Sequence, residues 1–504
     1  MPSPRLLASL ALVALAGCGS SSKNTSCDPV AQSGCSGAQV CESVQGGQPA
    51  CFDPVVLKGK VFDLAAPAGG LDAARVVALD VNGAPATGVA TSAATTGLYS
   101  LAIPSSARKA DGTPVGVSLT LRADRAGYDS FPSGLRVALP ISTASATHTG
   151  GQWVVQTLQT DIGLAAIASA PAGVISGSAA RPASGGGVLV VAENTATKAG
   201  YTAIPGTDGA YKIFNVPDGT YELRGFAAGA NYVPVTVTVA SGVATPTSAA
   251  LVLATGAAAA TATVNGSVNM VAGTTWPTTS VLLVVASTYD ASEHRGVAPP
   301  GLRAGDVSNT WTIAGIPDGH YRVLAAFETD YLVRDPSDIG GTAVLEFQVV
   351  NGQPLLMDGT TSAATMQVFK ITGAVRLLGP MQDATGACAT LASPPADPTT
   401  IPAGACTTKL TAPEIAWTVD SAYSAADTFE VTVADDAGVE VWKADVAKGT
   451  SSVAYGATGT GITTVTPAAA LVAGHTYQAR IAAKKSTQTL SVSEDLLGVF
   501  TYQP

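Results

Sequence analysis

The chain has 504 residues, of which only 12% are charged, and it is rich in glycine (54) and proline (31). Its formal net charge of −10 excludes the basic footprint that nucleic-acid binding needs. Long charged helical faces are missing and β-formers are punctuated by turn residues, so the composition predicts an all-β fold of tandem β-sandwich domains.

The amino end reads as an export signal over residues 1–17. Arg5 supplies the positive region, and the apolar run from Leu6 to Ala16 is too short for a permanent membrane span. The "LAGC" at Leu15 to Cys18 resembles the bacterial lipoprotein cleavage box, which implies that Cys18 is lipidated and becomes the first mature residue. Residues 18–26 then form a flexible tether, rich in serine. Gly19, rather than aspartate, follows the cysteine; by the same resemblance the address is the outer membrane or cell surface. The lipid bilayer is then a partner, since several acyl chains anchor a protein where one holds it only marginally.

Residues 27–54 crowd Cys27, Cys35, Cys41 and Cys51 into one short segment with no Cys-x-x-Cys pair and no nearby histidine. That argues against a metal site and for a small module stapled by two disulfides, in any of three pairings. Cys388 and Cys406 bracket a proline-rich loop further on and are expected to pair with each other.

Three units follow, at 55–170, 171–258 and 259–370. Each opens with an apolar-x-Gly-x-apolar strand, "LKGKV" around Gly59, "ISGSA" around Gly177 and "VNGSV" around Gly266. A second apolar strand comes next ("ARVVALD", "GVLVVAE", "VLLVVAST"). Then "NVPDGTYELRGF" from Asn215 returns as "GIPDGHYRVLAAF" from Gly315, one hundred positions later. The alternation of Tyr211 and Ile213 against Lys212 and Phe214 predicts a strand before the Pro-Asp-Gly, and Tyr221 with Leu223 predicts one after it. The expected connection is a β-hairpin, with the aspartate bonding backbone groups of its own turn. Each unit also carries a tyrosine after a short turn, at Tyr128, Tyr232 and Tyr331.

These opening glycine strands and the segments Val216 to Tyr221 and Ile316 to Tyr321 resemble the carboxypeptidase regulatory-like domain, a transthyretin-like β-sandwich. The resemblance implies about seven strands per unit and brings no peptidase chemistry. In the first unit a longer polar loop, Ser105 to Val115, stands where the short turn would be. "ITGAV" around Gly373 reads as the start of a further unit that breaks into the disulfide-bearing loop. The last segment, 371–504, resembles a fibronectin type III domain in "ALVAGHTYQARIAA", where Leu471, Gly474 and Tyr477 have tyrosine-corner spacing. A hairpin is expected about Asp435 to Gly438.

Catalytic and cofactor motifs are absent: no His-Glu-x-x-His, no Gly-x-Ser-x-Gly elbow, no phosphate or dinucleotide loop. His148, His294, His320 and His475 are expected in surface loops. Trp153, Trp311, Trp417 and Trp442 are expected in cores. Glu328, Asp330, Asp335 and Asp338 lack the one-three-five spacing of a calcium loop. Trp276, in "GTTWPTTS", with Tyr289 and Tyr331, are the candidates for stacking on a sugar ring. The expectation is therefore a non-enzymatic, lipid-anchored binding or adhesion scaffold without metal or cofactor. The alternative is a glycan-binding accessory to a surface polysaccharide system, and the partner otherwise is an envelope or extracellular protein.

Overall fold

The computed structural model describes residues 27–504 except 30–31, 104–106, 133–137, 139–140, 184–185, 272–278, 290–295, 308, 328–344, 367–368, 373–374, 384, 394–404, 419–425, 437–438, 487 and 494–497. Cys18, Trp276, Tyr331, His294 and the acidic group Glu328, Asp330, Asp335 and Asp338 lie outside the described residues. What is described is built from β-strands, with a few single-turn 3-10 segments, and no described helix is long and apolar enough to cross a membrane.

The cysteine-rich segment is a two-stranded sheet, Val40–Glu42 against Ala50–Phe52, stapled by Cys27–Cys41 and Cys35–Cys51. The third disulfide joins Cys388 to Cys406. With so few residues to bury, the small segment depends on its staples and on what it docks against.

The three units share one strand plan. In the second, Gly173–Ala179 pairs antiparallel with Ala210–Val216 and parallel with Ala249–Leu251. The opposing sheet places Leu189–Asn194 between Gly200–Ala203 and Gly219–Phe226, and then adds Val235–Ala240. The third repeats it with Ala262–Val271 between Thr310–Ile316 and a parallel Phe369–Thr372, and with Thr279–Val285 between Arg303–Val307 and Gly319–Phe327. The first does so with Val55–Asp63 against Leu98–Ile103 and a parallel Ile162–Leu164, opposite Arg75–Leu79 and Ser118–Asp124. Two expectations are corrected here. The strands on either side of Pro-Asp-Gly do not pair with each other: in the third unit they lie in separate sheets, and in the second they are connected only the long way round, through Val243–Thr245 against Gly173–Ala179, so the motif is an arch across the sandwich and not a hairpin. Likewise Ile371 and Thr372, taken from sequence as the opening of a further unit, belong to the strand that closes the third.

The opening glycines have a steric reason. Gly59, Gly177 and Gly266 sit directly opposite Tyr99, Tyr211 and Trp311 in the antiparallel register. A Cβ on Gly177 would stand 1.7 Å from the Ala249 carbonyl oxygen and 2.5 Å from the Tyr211 hydroxyl; one on Gly266 would meet the Trp311 ring at 2.4 Å. The missing side chain lets the ring lie across its own strand pair. The tyrosines then donate to the parallel closing segment, Tyr211 to the Ala249 carbonyl at 2.7 Å and Tyr99 to the Thr160 carbonyl at 2.5 Å.

The second strand of each unit is an unbroken apolar run because both its faces are covered. In Leu189–Asn194, Val190 and Ala192 face the unit's own core, while Leu189 and Val191 join a second cluster with the third unit's Val281, Trp311 and Tyr321. Val77 and Leu79 of the first unit enter that same cluster, whereas Val76 and Ala78 point inward. Alternation fails in sequence where a sheet is buried on both sides. The carboxyl-terminal sandwich has its own core around Trp417 and Trp442, both fully buried. Its larger sheet runs from Cys406–Thr408 through Val499–Tyr502, Thr476–Lys485, Thr428–Asp435 and Glu440–Ala447 to Ile462–Thr466. Here the expected hairpin is present, Thr428–Asp435 returning as Glu440–Ala447. The Tyr477 hydroxyl accepts the Val472 N–H at 2.7 Å, as the corner spacing requires.

Candidate functional site

The repeated arch is where the chain concentrates its polar contacts. Each arch is approached through one residue in the left-handed region, Asn215 (φ 57°) or Gly315 (φ 72°), which turns the strand out of its sheet before the proline. The aspartate then does something the sequence does not show. Instead of bonding its own turn, the Asp218 carboxylate accepts the N–H groups of Ser241 (2.8 Å) and Gly242 (3.1 Å). Asp318 accepts those of Asn351 (2.8 Å) and Gly352 (2.9 Å). Both recipients are the next tight turn of the same unit, after Val235–Ala240 or Leu345–Val350. The tyrosine two positions after the glycine leans back over the arch. Tyr221 donates to the Pro217 carbonyl at 2.7 Å, and Tyr321 to the Pro317 carbonyl at 2.8 Å. All three polar roles are thus filled by backbone of the same unit, and the repeated aspartate is a clamp.

A clamp that uses both carboxylate oxygens is sensitive to the amide. In Asp318→Asn an NH2 faces one of two N–H donors and loses that bond. The expected cost is about 1.5–3 kcal/mol, the net worth of a hydrogen bond to a charged acceptor, measured as a lower denaturation midpoint.

Each arch also receives the module before it. Asn215 takes the Gly127 N–H at 2.7 Å and donates to the Tyr128 carbonyl at 2.8 Å, fastening the first unit's turn to the second unit. One unit later, Gly229 donates to the Gly315 carbonyl at 2.8 Å and the Asn231 side chain accepts the Asp318 N–H at 2.6 Å. The turns that carry Tyr128 and Tyr232 are therefore the plugs, and the arches are the sockets.

In the first unit the long polar loop occupies the arch position, and the disulfide module plugs into it. Arg108, 1% exposed, pairs with Glu42 through Nε, donates to the Asp53 carbonyl at 2.9 Å and to the Gly112 carbonyl at 3.2 Å, and lies 5.0 Å over the Phe52 ring. Its backbone adds two more bonds, to the Ser43 carbonyl and from the Gln45 N–H. Sequence reasoning passed over Arg108. The signal was a lone arginine in a loop that departs from the repeat.

Of the sugar-stacking candidates, Tyr289 is half-buried at the end of a 3-10 turn, with the Arg322 guanidinium 4.3 Å from its ring centre. That cation covers one of the two faces a pyranose could use. His148 lies on the exposed strand Thr147–Thr149, not in a loop, opposite a half-buried Trp153 with ring centres 5.0 Å apart. His320 is on a strand beside Glu346, and His475 meets Asp436 at 3.1 Å at the tip of the terminal sandwich. Among the described residues, the one grouping with metal-ligating atoms close together is Cys27, Cys35 and Cys51, all held in disulfides.

Buried phenols give the fold an alkaline limit. Desolvation raises Tyr232 to about 12, and Tyr455 to about 12 with a further contribution from Tyr477 nearby; Tyr211 and Tyr321 are pushed up more strongly by burial. The folded state favours the neutral phenol, so this stability is present below the unfolded pKa of about 10 and is lost as pH rises through the folded values. Unfolding free energy measured from pH 8 upward is expected to be flat and then fall above about pH 10, with tyrosinate absorbance rising in step.

No family model and no curated protein matches the chain. Among solved structures, the major pilin subunit of Bacillus cereus matches 63% of this chain and 98% of its own, at 9% identity and a TM-score of 0.16. The Bacillus anthracis TIE protein covers 85% of this chain and 64% of its own, at 12% identity and 0.13. A streptococcal ancillary pilin covers 63% and 99%, at 10% and 0.14. At these scores the likeness goes no further than a β-rich chain. The class that fold and site define is an all-β protein of socketed sandwich units behind a disulfide-stapled module.

Proposed function

We propose that this is an exported, lipid-anchored scaffold whose units hold binding surfaces away from a bacterial envelope, without catalysis of its own. The observation that supports it most is the socketed joint. Module after module is fixed to the next by polar contacts, buried at Arg108 and part-buried at Asn215 and Asn231. An arrangement that restricts the angle between domains suits a spacer, because domains joined by open linkers swing freely. The repeated Pro-Asp-Gly spends its aspartates on backbone N–H groups of the same unit, which supports an architectural role for the motif. In this reading the three units are regulatory-like sandwiches, the last is fibronectin-like, Cys18 carries the lipid, and the partner is an envelope or extracellular protein.

The test is fractionation. Wild type is expected in the membrane fraction and Cys18→Ala in the soluble one, with protease added to intact cells reporting which side the units face. Membrane retention of Cys18→Ala would defeat the anchor, and a single-turnover activity assigned to the purified chain would defeat the scaffold.

A further inference from the structure

The two bridges of the amino-terminal module crowd each other. The sulfur atoms of Cys27, Cys35 and Cys51 all lie within 4.8 Å of one another, although Cys27 is bonded to Cys41 and Cys35 to Cys51. Their exposure differs. Cys41 and Cys27 are 1% and 7% exposed, whereas Cys35 and Cys51 are half-buried. A reductant in solution therefore meets Cys35–Cys51 first, and the thiolate it leaves stands beside the shielded bridge. The strand register opens a second pairing. Cys41 and Cys51 sit directly opposite each other in Val40–Glu42 and Ala50–Phe52. Opposed antiparallel residues have Cα atoms about 4.5–5.5 Å apart, inside the window a disulfide needs.

We infer that the module is a disulfide relay, in which a dithiol that opens the outer bridge rearranges the inner one. In the first step the dithiol gives two electrons to Cys35–Cys51 and leaves as its own disulfide. The Cys35 thiolate then attacks the Cys27 sulfur. A Cys27–Cys35 bond forms as Cys27–Cys41 breaks, and the departing Cys41 thiolate takes up a proton, with no electrons consumed. Cys41 and Cys51 are left as opposed thiols, and the oxidised dithiol from the first step takes two electrons from them to close Cys41–Cys51. The sum is an isomerisation that regenerates the dithiol. Its effect reaches the socket, because Cys41 is the neighbour of Glu42, the carboxylate partner of Arg108. The observed pairing ties Cys27 to the strand that enters the socket; the second pairing ties it only to the loop at Cys35. Among the described residues no third sulfur joins Cys388 and Cys406, so that bridge has no exchange partner. The partner class implied is a thiol–disulfide oxidoreductase, and the inference does not depend on the lipid anchor.

The experiment uses the full exported chain carrying Cys18→Ala, so that every free thiol comes from an opened bridge. The folded protein is treated with one equivalent of dithiothreitol, its thiols are alkylated over a time series, and its bridges are mapped by peptide mass spectrometry. Label is expected on Cys41, together with a Cys27–Cys35 peptide. Opening of Cys27–Cys41 is expected to slow about tenfold or more in the double variant Cys35→Ser with Cys51→Ser, which leaves only direct attack on the shielded bridge. A second arm needs no reductant. Cys51→Ser leaves Cys35 as a free thiol, and its label is expected to be shared between Cys35 and Cys41. Circular dichroism checks that each variant is folded; should the serine variants fail to fold, the mapping of the parent chain decides alone. Label confined to Cys35 and Cys51, with Cys27–Cys41 intact, would overturn the relay. So would equally fast opening in the double variant, or a Cys51→Ser label that stays on Cys35.

Discussion

Arg108→Ala is expected to destabilise the junction between the disulfide module and the first unit by about 3–5 kcal/mol, the range for breaking a buried ion pair from one side. The size follows from what is left behind. Glu42 is 2% exposed and would keep a buried charge after its guanidinium partner has gone, and the Asp53 and Gly112 carbonyls would lose their donors. The Phe52 ring would also lose the cation stacked above it. Arg108→Lys is not a rescue, since one ammonium cannot reach the carboxylate and two carbonyls in a planar fork. The double change Glu42→Gln with Arg108→Met should recover part of the loss, because no orphaned charge remains. Limited proteolysis reads the result. Cleavage is expected within residues 43–55 at protease levels that leave the wild type whole, and equal resistance would show that the socket is not what holds the module.

Much of this fold was legible because the repeat puts the same residues in the same places. The opening glycines marked strands correctly, and the tyrosines at 211, 221 and 321 marked buried faces. The Leu471, Gly474 and Tyr477 spacing found a real corner. What misled was Pro-Asp-Gly. Locally it has every feature of a hairpin turn, and no local feature distinguishes a turn within one sheet from an arch between two. That choice is made by which strands flank it, Leu189–Asn194 for one side and Gly173–Ala179 for the other, and both precede it by tens of residues. The partner of Asp218 was equally invisible: Ser241 and Gly242 offer backbone N–H groups, which every residue but proline possesses. Arg108 was overlooked for a related reason, since the value of a buried arginine lies in neighbours drawn from a different module.

Tyr321→Ala carries the second large effect, an expected loss of about 3–5 kcal/mol from truncating a fully buried aromatic. Three contacts make it large. The ring stacks on Phe347 at 5.5 Å, makes a T-shaped contact with Phe226 from the preceding unit at 5.9 Å, and holds the arch through its hydroxyl. Tyr321→Phe separates the last of these: the ring stays, only the Pro317 carbonyl loses its donor, and about 1–2 kcal/mol is expected. Because Phe226 lies across the joint, the alanine variant also weakens the coupling between the second and third units, whose side chains share one cluster with Val77 and Leu79 of the first. Wild type is therefore expected to melt these units in one calorimetric transition. Tyr321→Ala should move that transition down and split it as the third unit uncouples. Tyr221→Ala, whose ring meets Tyr201 of its own unit at 6.0 Å, should lower the transition without splitting it. If both variants split the melt, or neither does, the arch tyrosine of the third unit has no special part in joining it to the second.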